Sequence, residues 1–343
     1  MTYKLAMIGA SGHVHLVLPY LPQLPQVRFC AYAPSFPGED ISRYADYQAQ
    51  DGYLPHAYGD WRELLATERP DIVVPCGRND LHGPIAIEAA RRGCHVFSEK
   101  PAAQTLEDVL ALRQFVRDHD VRYGLMLPIR YEPAFYTARL LVERGVTGEP
   151  ALVSAQKSYR WGDSRPEWYG NPAHYGNSIT WIGIHALDFA RWIAGVDYAE
   201  VYGYHANLVH TERPGCQDVS TLVARLTNGG SATFRFDYLR PAAAATHGDD
   251  RVRIAGSEGV LEVCDQGRRL HVITAERNVP DWPLEEPGRA LFTDFIASIE
   301  GRGEMLLTAE EAFSVTAFAI VAAQAADQGR PLPFCFPPVA ARE

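Results

Sequence analysis

Short runs of almost wholly apolar residues recur through the first part of the chain: Leu5 to Ile8, Val27 to Ala31, Ile72 to Pro75, His95 to Ser98 and Arg122 to Met126. Helical patterns lie between them. A strand without polar alternation needs cover on both faces, so this rhythm predicts a doubly wound α/β fold, a parallel sheet with helices on either side. Two of the helices carry clear punctuation. Leu81 to Arg92 stops at Gly93, and the next starts at Thr105 with Asp108 three residues on, the spacing of a capping box.

After Met126 the rhythm changes. A helix from Pro133 to Arg144, ended by Gly145, leads to a strand over Leu152 to Tyr159 and then an irregular aromatic loop. A helical pattern from Thr180 to Ala194 stops at Gly195. Ser220 to Leu226 and Ala232 to Phe236 flank Asn228-Gly229-Gly230, and Arg251 to Ala255 and Val260 to Val263 flank Gly256 to Gly259, so both pairs read as antiparallel hairpins. Helices over Arg289 to Glu300 and Thr308 to Gln328 close the chain. The pattern predicts a first domain over residues 1–127 and an α+β second domain over 128–343, with the closing helices packing back on the first.

Composition narrows the function classes. A chain of 343 residues, 47% hydrophobic, buries a large core, and its length suits two domains. A formal net charge of −10 without any local Lys/Arg cluster excludes nucleic acid and anionic membrane surfaces as expected partners. Six scattered cysteines with no C-x-x-C pair point to a reducing compartment. The N-terminus enters a strand directly, and the most apolar stretch, Ala312 to Ala326, is shorter than the roughly 20 residues a membrane span needs. The expected location is cytoplasmic. No metal site is expected, since His174, His185, Asp188 and His205 lack a ligand spacing.

Candidate chemistry starts at Leu5 to His15, LAMIGASGHVH, where a strand ends in Gly9 and a turn with Gly12 leads into an apparent helix. Glycines in such a turn let backbone N–H groups approach a pyrophosphate, so Gly9, Ser11, Gly12 and His13 are candidate cofactor contacts. Ser11 and Val14 stand where the dinucleotide fingerprint has its second and third glycines. The second strand carries no acid at its end, in Cys30-Ala31-Tyr32-Ala33-Pro34, to hold an adenosine ribose. Ser35 offers a contact to a 2′-phosphate, but no Arg follows until Arg43; Glu39 and Asp40 either fold back toward the ribose or, the favoured reading, are solvated loop charges. The choice of NAD or NADP stays open.

Gly93 to Ala102, GCHVFSEKPA, resembles the strand and turn that carry Glu-Lys-Pro in the Gfo/Idh/MocA oxidoreductases. Gly77 to His82 resembles the turn after that family's fourth strand, retaining Asn79 and His82 with Arg78 where proline is usual. Arg130 to Pro133 resembles its crossover between domains, and Trp181 to Asp188, WIGIHALD, resembles its D-x-x-x-H-x-x-D helix with Trp181 in place of the first aspartate. The likeness spans nearly the whole chain. It implies a Rossmann domain followed by an α+β domain with a large, mainly antiparallel open sheet, through which relatives form a homodimer or homotetramer. It implies NAD or NADP as cofactor, with Asn79, His82, Glu99 and Lys100 at the cofactor, and a cis peptide before Pro101.

The resemblance further implies hydride transfer to or from a sugar, inositol or related polyol, with Lys100 and His185 catalytic. Arg130, Tyr159, Trp168, Trp181, His185 and Asp188 are the expected substrate residues. Neutral His185 would take the hydroxyl proton and the Lys100 ammonium would steady the oxygen, above the nicotinamide ring, although the reverse assignment stays open. Two other readings stand beside this one: a redox-neutral, NAD-dependent glycoside-cleaving relative, and a non-catalytic ligand-binding or regulatory relative.

Overall fold

A computed structural model describes residues 2–45, 47, 52–162 and 165–337. The early elements are β1 (Tyr3–Ile8), β2 (Val27–Ala33), β3 (His56–Ala57), α1 (Trp61–Glu68), β4 (Ile72–Pro75), α2 (Asn79–Arg91), β5 (His95–Ser98), α3 (Leu106–Asp118) and β6 (Tyr123–Leu125). Next come α4 (Pro133–Glu143), β7 (Pro150–Arg160), a single turn α5 (Pro172–Tyr175) and α6 (Ile184–Ala194). Strands β8 (Tyr198–Ala206), β9 (Val219–Leu226), β10 (Ser231–Arg240), β11 (Gly248–Gly256), β12 (Gly259–Cys264), β13 (Arg269–Thr274) and β14 (Asn278–Val279) follow, then α7 (Leu291–Ile299), α8 (Ala309–Gln328) and β15 (Leu332–Pro333).

The chain forms two compact units. The first comprises Met1–Pro128, Ala173–Gly176 and Arg289–Phe313. Its sheet runs β3-β2-β1-β4-β5-β6 with every pair parallel, the doubly wound arrangement expected of the apolar strands. The chain order reverses between β1 and β4, which is where such sheets open a crevice at their carboxyl edge. Leu5 to Ile8 are fully buried. Phe97 of β5 packs on Phe292 and Phe295 of α7, each ring pair 5.1 Å between centroids. Thr105 caps α3 by accepting from the Asp108 N–H at 3.1 Å, as the sequence predicted.

One element departs from expectation. The segment after the glycine turn forms two 3₁₀ turns, Val14–Leu16 and Leu18–Gln23, and no α-helix. Pro19 and Pro22 explain this, because each lacks the N–H that an α-helix would use and clashes with the preceding turn.

The second unit comprises Ile129–Pro172, Asn177–Gly288 and Ser314–Glu343. Its nine-stranded sheet runs β14-β13-β12-β11-β7-β10-β9-β8-β15. Both predicted hairpins, β9–β10 and β11–β12, are present and antiparallel, and β7–β10 is the parallel pair that makes the sheet mixed. Helix α6 covers one face of β7 and ends at Gly195, whose φ of +66° is easy only for glycine. Ile179–Gly183, just before α6, is a π-helical turn, a feature that widens the helix and often marks a functional site. Gly183 has no alternative there, since a Cβ would stand 2.7 Å from the Phe236 ring. Among the described residues, no helix is long and apolar enough to cross a membrane.

Candidate active site

The first unit assembles the sequence-predicted cofactor residues at the carboxyl edge of its sheet. Gly9 ends β1 with φ of +84°, and a Cβ there would lie 2.5 Å from Gly77 Cα, so the loops after β1 and β4 touch backbone to backbone. The Gly9 N–H donates to Ala33 O (2.8 Å), Tyr44 Oη donates to Gly9 O (2.7 Å), and the Ser11 N–H donates to Cys76 O (2.6 Å). Gly12 has φ of +72°, and a Cβ there would meet the Glu99 carboxylate at 2.7 Å. Both glycines therefore answer a close approach as well as a positive φ.

Glu99, at the end of β5, is fully buried and fastened to this loop. The His13 N–H donates to its Oε2 at 2.8 Å, and His13 Nδ1 lies 2.9 Å from both carboxylate oxygens. Burial alone would push the acid up. The charge and hydrogen bonds of His13 and the nearby Lys100 ammonium outweigh that and hold its carboxyl down to about 2. Lys100 Nζ lies 3.8 Å from Glu99 Oε1, and Lys100 is 1% exposed, which removes the bland reading of a solvated surface pair. The Lys100–Pro101 peptide is cis, as the resemblance implied.

His82 and Asn79, on the first turns of α2, brace the same edge. His82 is fully buried, with Nδ1 3.1 Å from Pro101 O and Nε2 3.0 Å from Gly77 O, and burial lowers its pKa. It ties the turn after β5 to the turn after β4. Asn79 Nδ2 donates to Tyr175 O at 2.8 Å. Its Oδ1 is buried without a hydrogen-bond donor. A buried, unanswered acceptor is costly unless something else supplies the donor.

These features fit a nicotinamide dinucleotide. The turn after β1 has no Cβ at its two tightest positions, and Asn79 Oδ1 offers an acceptor to a hydroxyl or amide donor. What the chain lacks is a full helix behind the turn, so little macrodipole supports the pyrophosphate. The N–H groups of Gly9, Ser11 and His13 are taken by Ala33 O, Cys76 O and Glu99 Oε2, so what these residues would offer the dinucleotide is a rigid turn that permits close approach at Gly9 and Gly12.

The substrate candidates fall in the second unit. His185 is 2% exposed in the first turn of α6. Asp188, one turn on, takes a bidentate grip from Arg130, with Nε to Oδ2 at 3.0 Å and Nη2 to Oδ1 at 2.7 Å, both side chains buried. The guanidinium also lies 5.2 Å from the Trp192 ring centroid. Arg130 and Asp188 are thus paired with each other, a geometry that locks α6 to the segment before α4. Trp181 sits in the π turn, 5% exposed and edge-on to Tyr169 at 6.0 Å. Trp168 is half-buried beside Tyr169, with ring centroids 4.5 Å apart. Tyr159 points from β7 toward His247, ring centroids 4.6 Å apart, and burial raises its pKa.

Of two further charged groups, the first escaped the sequence reading and the second sits otherwise than it favoured. Lys157 is 3% exposed and paired with Asp250 at 2.6 Å; burial disfavours its ammonium, but Asp250 and Tyr159 hold its pKa above the ordinary lysine range. Strand alternation carried the signal, since Lys157 shares parity with buried Val153 and Ala155 on β7. The second is Glu39, which the sequence leaves between a fold-back toward the ribose and a solvated loop charge, the latter favoured. Its carboxylate instead accepts from the Ala10 N–H at 3.0 Å and from the Ser35 N–H and Oγ at 2.6 Å each. Only Asp40 is exposed.

Comparison with known proteins places this architecture. Residues 32–126 match the family model described as an oxidoreductase family with NAD-binding Rossmann fold, and residues 135–262 match the GFO/IDH/MocA C-terminal domain. A solved structure of a Thermotoga maritima protein assigned to the oxidoreductases is 36% identical, covers 96% of this chain and 100% of its own, and superposes with a TM-score of 0.90. The chain belongs to the Gfo/Idh/MocA family. Within that family, the uncharacterized oxidoreductase YrbE of Bacillus subtilis (strain 168) is 27% identical over 81% of this chain and 78% of its own length. The myo-inositol 2-dehydrogenase of Thermotoga maritima is 29% identical over 64% of each chain. Membership makes the chain an NAD-binding oxidoreductase with a Rossmann domain, consistent with the glycine turn at the switch point of its parallel sheet.

Proposed function

We propose that this protein transfers hydride between a nicotinamide cofactor and a secondary CH–OH of a sugar, inositol or related polyol. We assign cofactor binding to residues 1–127 and substrate binding and assembly to 128–343, of which Ala173–Gly176 and Arg289–Phe313 cluster with the first unit. The observation that carries the reading is the chain of contacts from Lys100 through Glu99 to the His13 N–H, which fixes a buried ammonium beside the dinucleotide turn. When bound, the nicotinamide supplies the hydride acceptor.

The chain's own residues handle the proton. An alcohol does not ionise near neutral pH, so its oxygen needs a base and a charge partner as hydrogen leaves carbon. His185 is the base, presented from a helix whose position the Arg130–Asp188 pair holds. Lys100, as the family resemblance implies, is the charge partner that steadies the negative charge developing on the reacting oxygen. The Glu99 carboxylate, 3.8 Å from Lys100 Nζ, attracts and orients the head group. Trp181 and Trp168 offer flat apolar surface to the C–H face of a ring, and Tyr159 offers a hydroxyl to its edge. The inositol dehydrogenase among the relatives supports a cyclic polyol as the class to try first.

The test is product analysis. Protein, NAD+ and a panel of inositols and aldoses should yield reduced nucleotide and, in equal amount, a product lighter by two hydrogens. Cleavage of a glycoside with no reduced nucleotide accumulating would replace this reading with the redox-neutral one. The outer face of the nine-stranded sheet presents Tyr204, Val223 and Leu152 at 65%, 45% and 46% exposure, so we assign it to self-assembly. A monomeric mass in solution would refute that assignment.

A further inference from the structure

We infer that Glu39 is the residue by which this chain recognises the adenosine ribose, and that it makes the site accept a free 2′-hydroxyl and reject a 2′-phosphate. The inference rests on the oxidoreductase reading above and names the cofactor form that site takes.

In an open α/β sheet the adenosine ribose lies over the carboxyl end of the second strand, beside the turn after the first, and an acid there grips its hydroxyls. Here β2 ends in Tyr32-Ala33-Pro34 with no acid. Glu39 reaches the same place from the following loop. Its Oε2 accepts from the Ser35 N–H and Oγ, just past β2, and its Oε1 accepts from the Ala10 N–H, just past β1. The carboxylate therefore bridges the two strand ends between which the ribose is expected.

Two details point to a ligand contact. A carboxylate has about four acceptor sites, and three are filled by these donors, which leaves one for a hydroxyl; Glu39 is only half-buried. Gly77 keeps the place open, since a Cβ there would stand 2.0 Å from Ser35 Oγ and 3.7 Å from Glu39 Oε1. The cations nearby do not reverse the preference. Arg78 is committed to Asp80 by two hydrogen bonds, at 2.8 and 2.9 Å, and lies over the Phe36 ring. Arg43 donates to Ala10 O from an exposed position, where solvent and salt weaken its pull. A 2′-phosphate would bring nearly two negative charges against the fixed carboxylate.

The experiment is a binding titration of the full chain with NADH and with NADPH, read by energy transfer from tryptophan to the bound nicotinamide, for wild type, Glu39→Gln and Glu39→Ala. Wild type should bind NADH about tenfold or more tighter than NADPH, and both substitutions should shrink that ratio by about tenfold, chiefly by tightening NADPH. Equal binding of the two, or preference for NADPH, by wild type overturns the inference whether or not the variants fold. An unchanged ratio in a folded Glu39→Gln variant also overturns it, while leaving the oxidoreductase reading intact. Binding of neither nucleotide by folded wild type overturns both.

Discussion

Replacing Glu99 by Gln tests how the centre of the cofactor edge is held together. Glutamine has the shape of a protonated glutamate, so the variant reports what the negative charge contributes. The carboxyl is fully buried, which by itself would favour the neutral form, yet His13 and Lys100 bring its pKa from the ordinary 4.5 to about 2. At about 1.4 kcal/mol per tenfold in proton affinity, the depression corresponds to about 3 kcal/mol of folding stability. Because the folded pKa is the lower one, that stability is fully present above pH 4.5 and is lost as pH falls toward 2. Urea unfolding of wild type and variant, compared at each pH from 7 to 3, isolates this term from other carboxylates. The variant should be about 3 kcal/mol less stable at pH 7, and the gap should narrow steadily below pH 4.5. A variant as stable as wild type at pH 7, or a gap that does not change with pH, would refute the argument.

Further outcomes follow from single contacts. Gly9→Ala places a side chain at positive φ and against the Gly77 backbone, so it should cost at least about 2 kcal/mol in thermal or urea unfolding and abolish nucleotide binding. Asp188→Ala leaves the Arg130 guanidinium buried without its carboxylate and should cost about 3 to 5 kcal/mol, whereas the Arg130→Met, Asp188→Leu double variant should recover much of that. A double variant no more stable than Asp188→Ala would mean that the pair is not the lock on α6. Lys100→Met should lower kcat by about 10²- to 10³-fold while nucleotide binding, measured separately, changes little.

Much of the fold was legible because doubly buried strands lack polar alternation. Ile72–Pro75 and His95–Ser98 fall at the predicted residues, and the hairpins around Asn228-Gly229-Gly230 and Gly256 to Gly259 carry turn residues whose chemistry is local. Elements without a local signal were missed. Strand β3 is two exposed residues held only by β2, and β14 and β15 are equally brief edge strands. The segment after Gly12 was misread because its apolar pattern suggested a helix while Pro19 and Pro22 forbade one. The π turn at Ile179–Gly183 leaves the same apolar signature as the α-helix predicted there.

The site was legible where motifs are contiguous and obscure where contacts are long-range. Lys100 and Glu99 stand in a recognisable tripeptide, but the partner of Glu99 is 86 residues away at His13. The Arg130–Asp188 pair spans 58 residues, so each side chain alone looked like a substrate ligand. Glu39 reaches Ala10 across 29 residues, and the spacing of the loop allows that fold-back without favouring it over a solvated charge.

The most direct test of the central claim is absorbance at 340 nm after mixing the protein and NAD+ with myo-inositol, its stereoisomers and common aldoses. A rise is expected with a cyclic polyol or sugar and should be lost in Lys100→Met. A flat trace throughout, from folded protein already saturated with nucleotide, would contradict it.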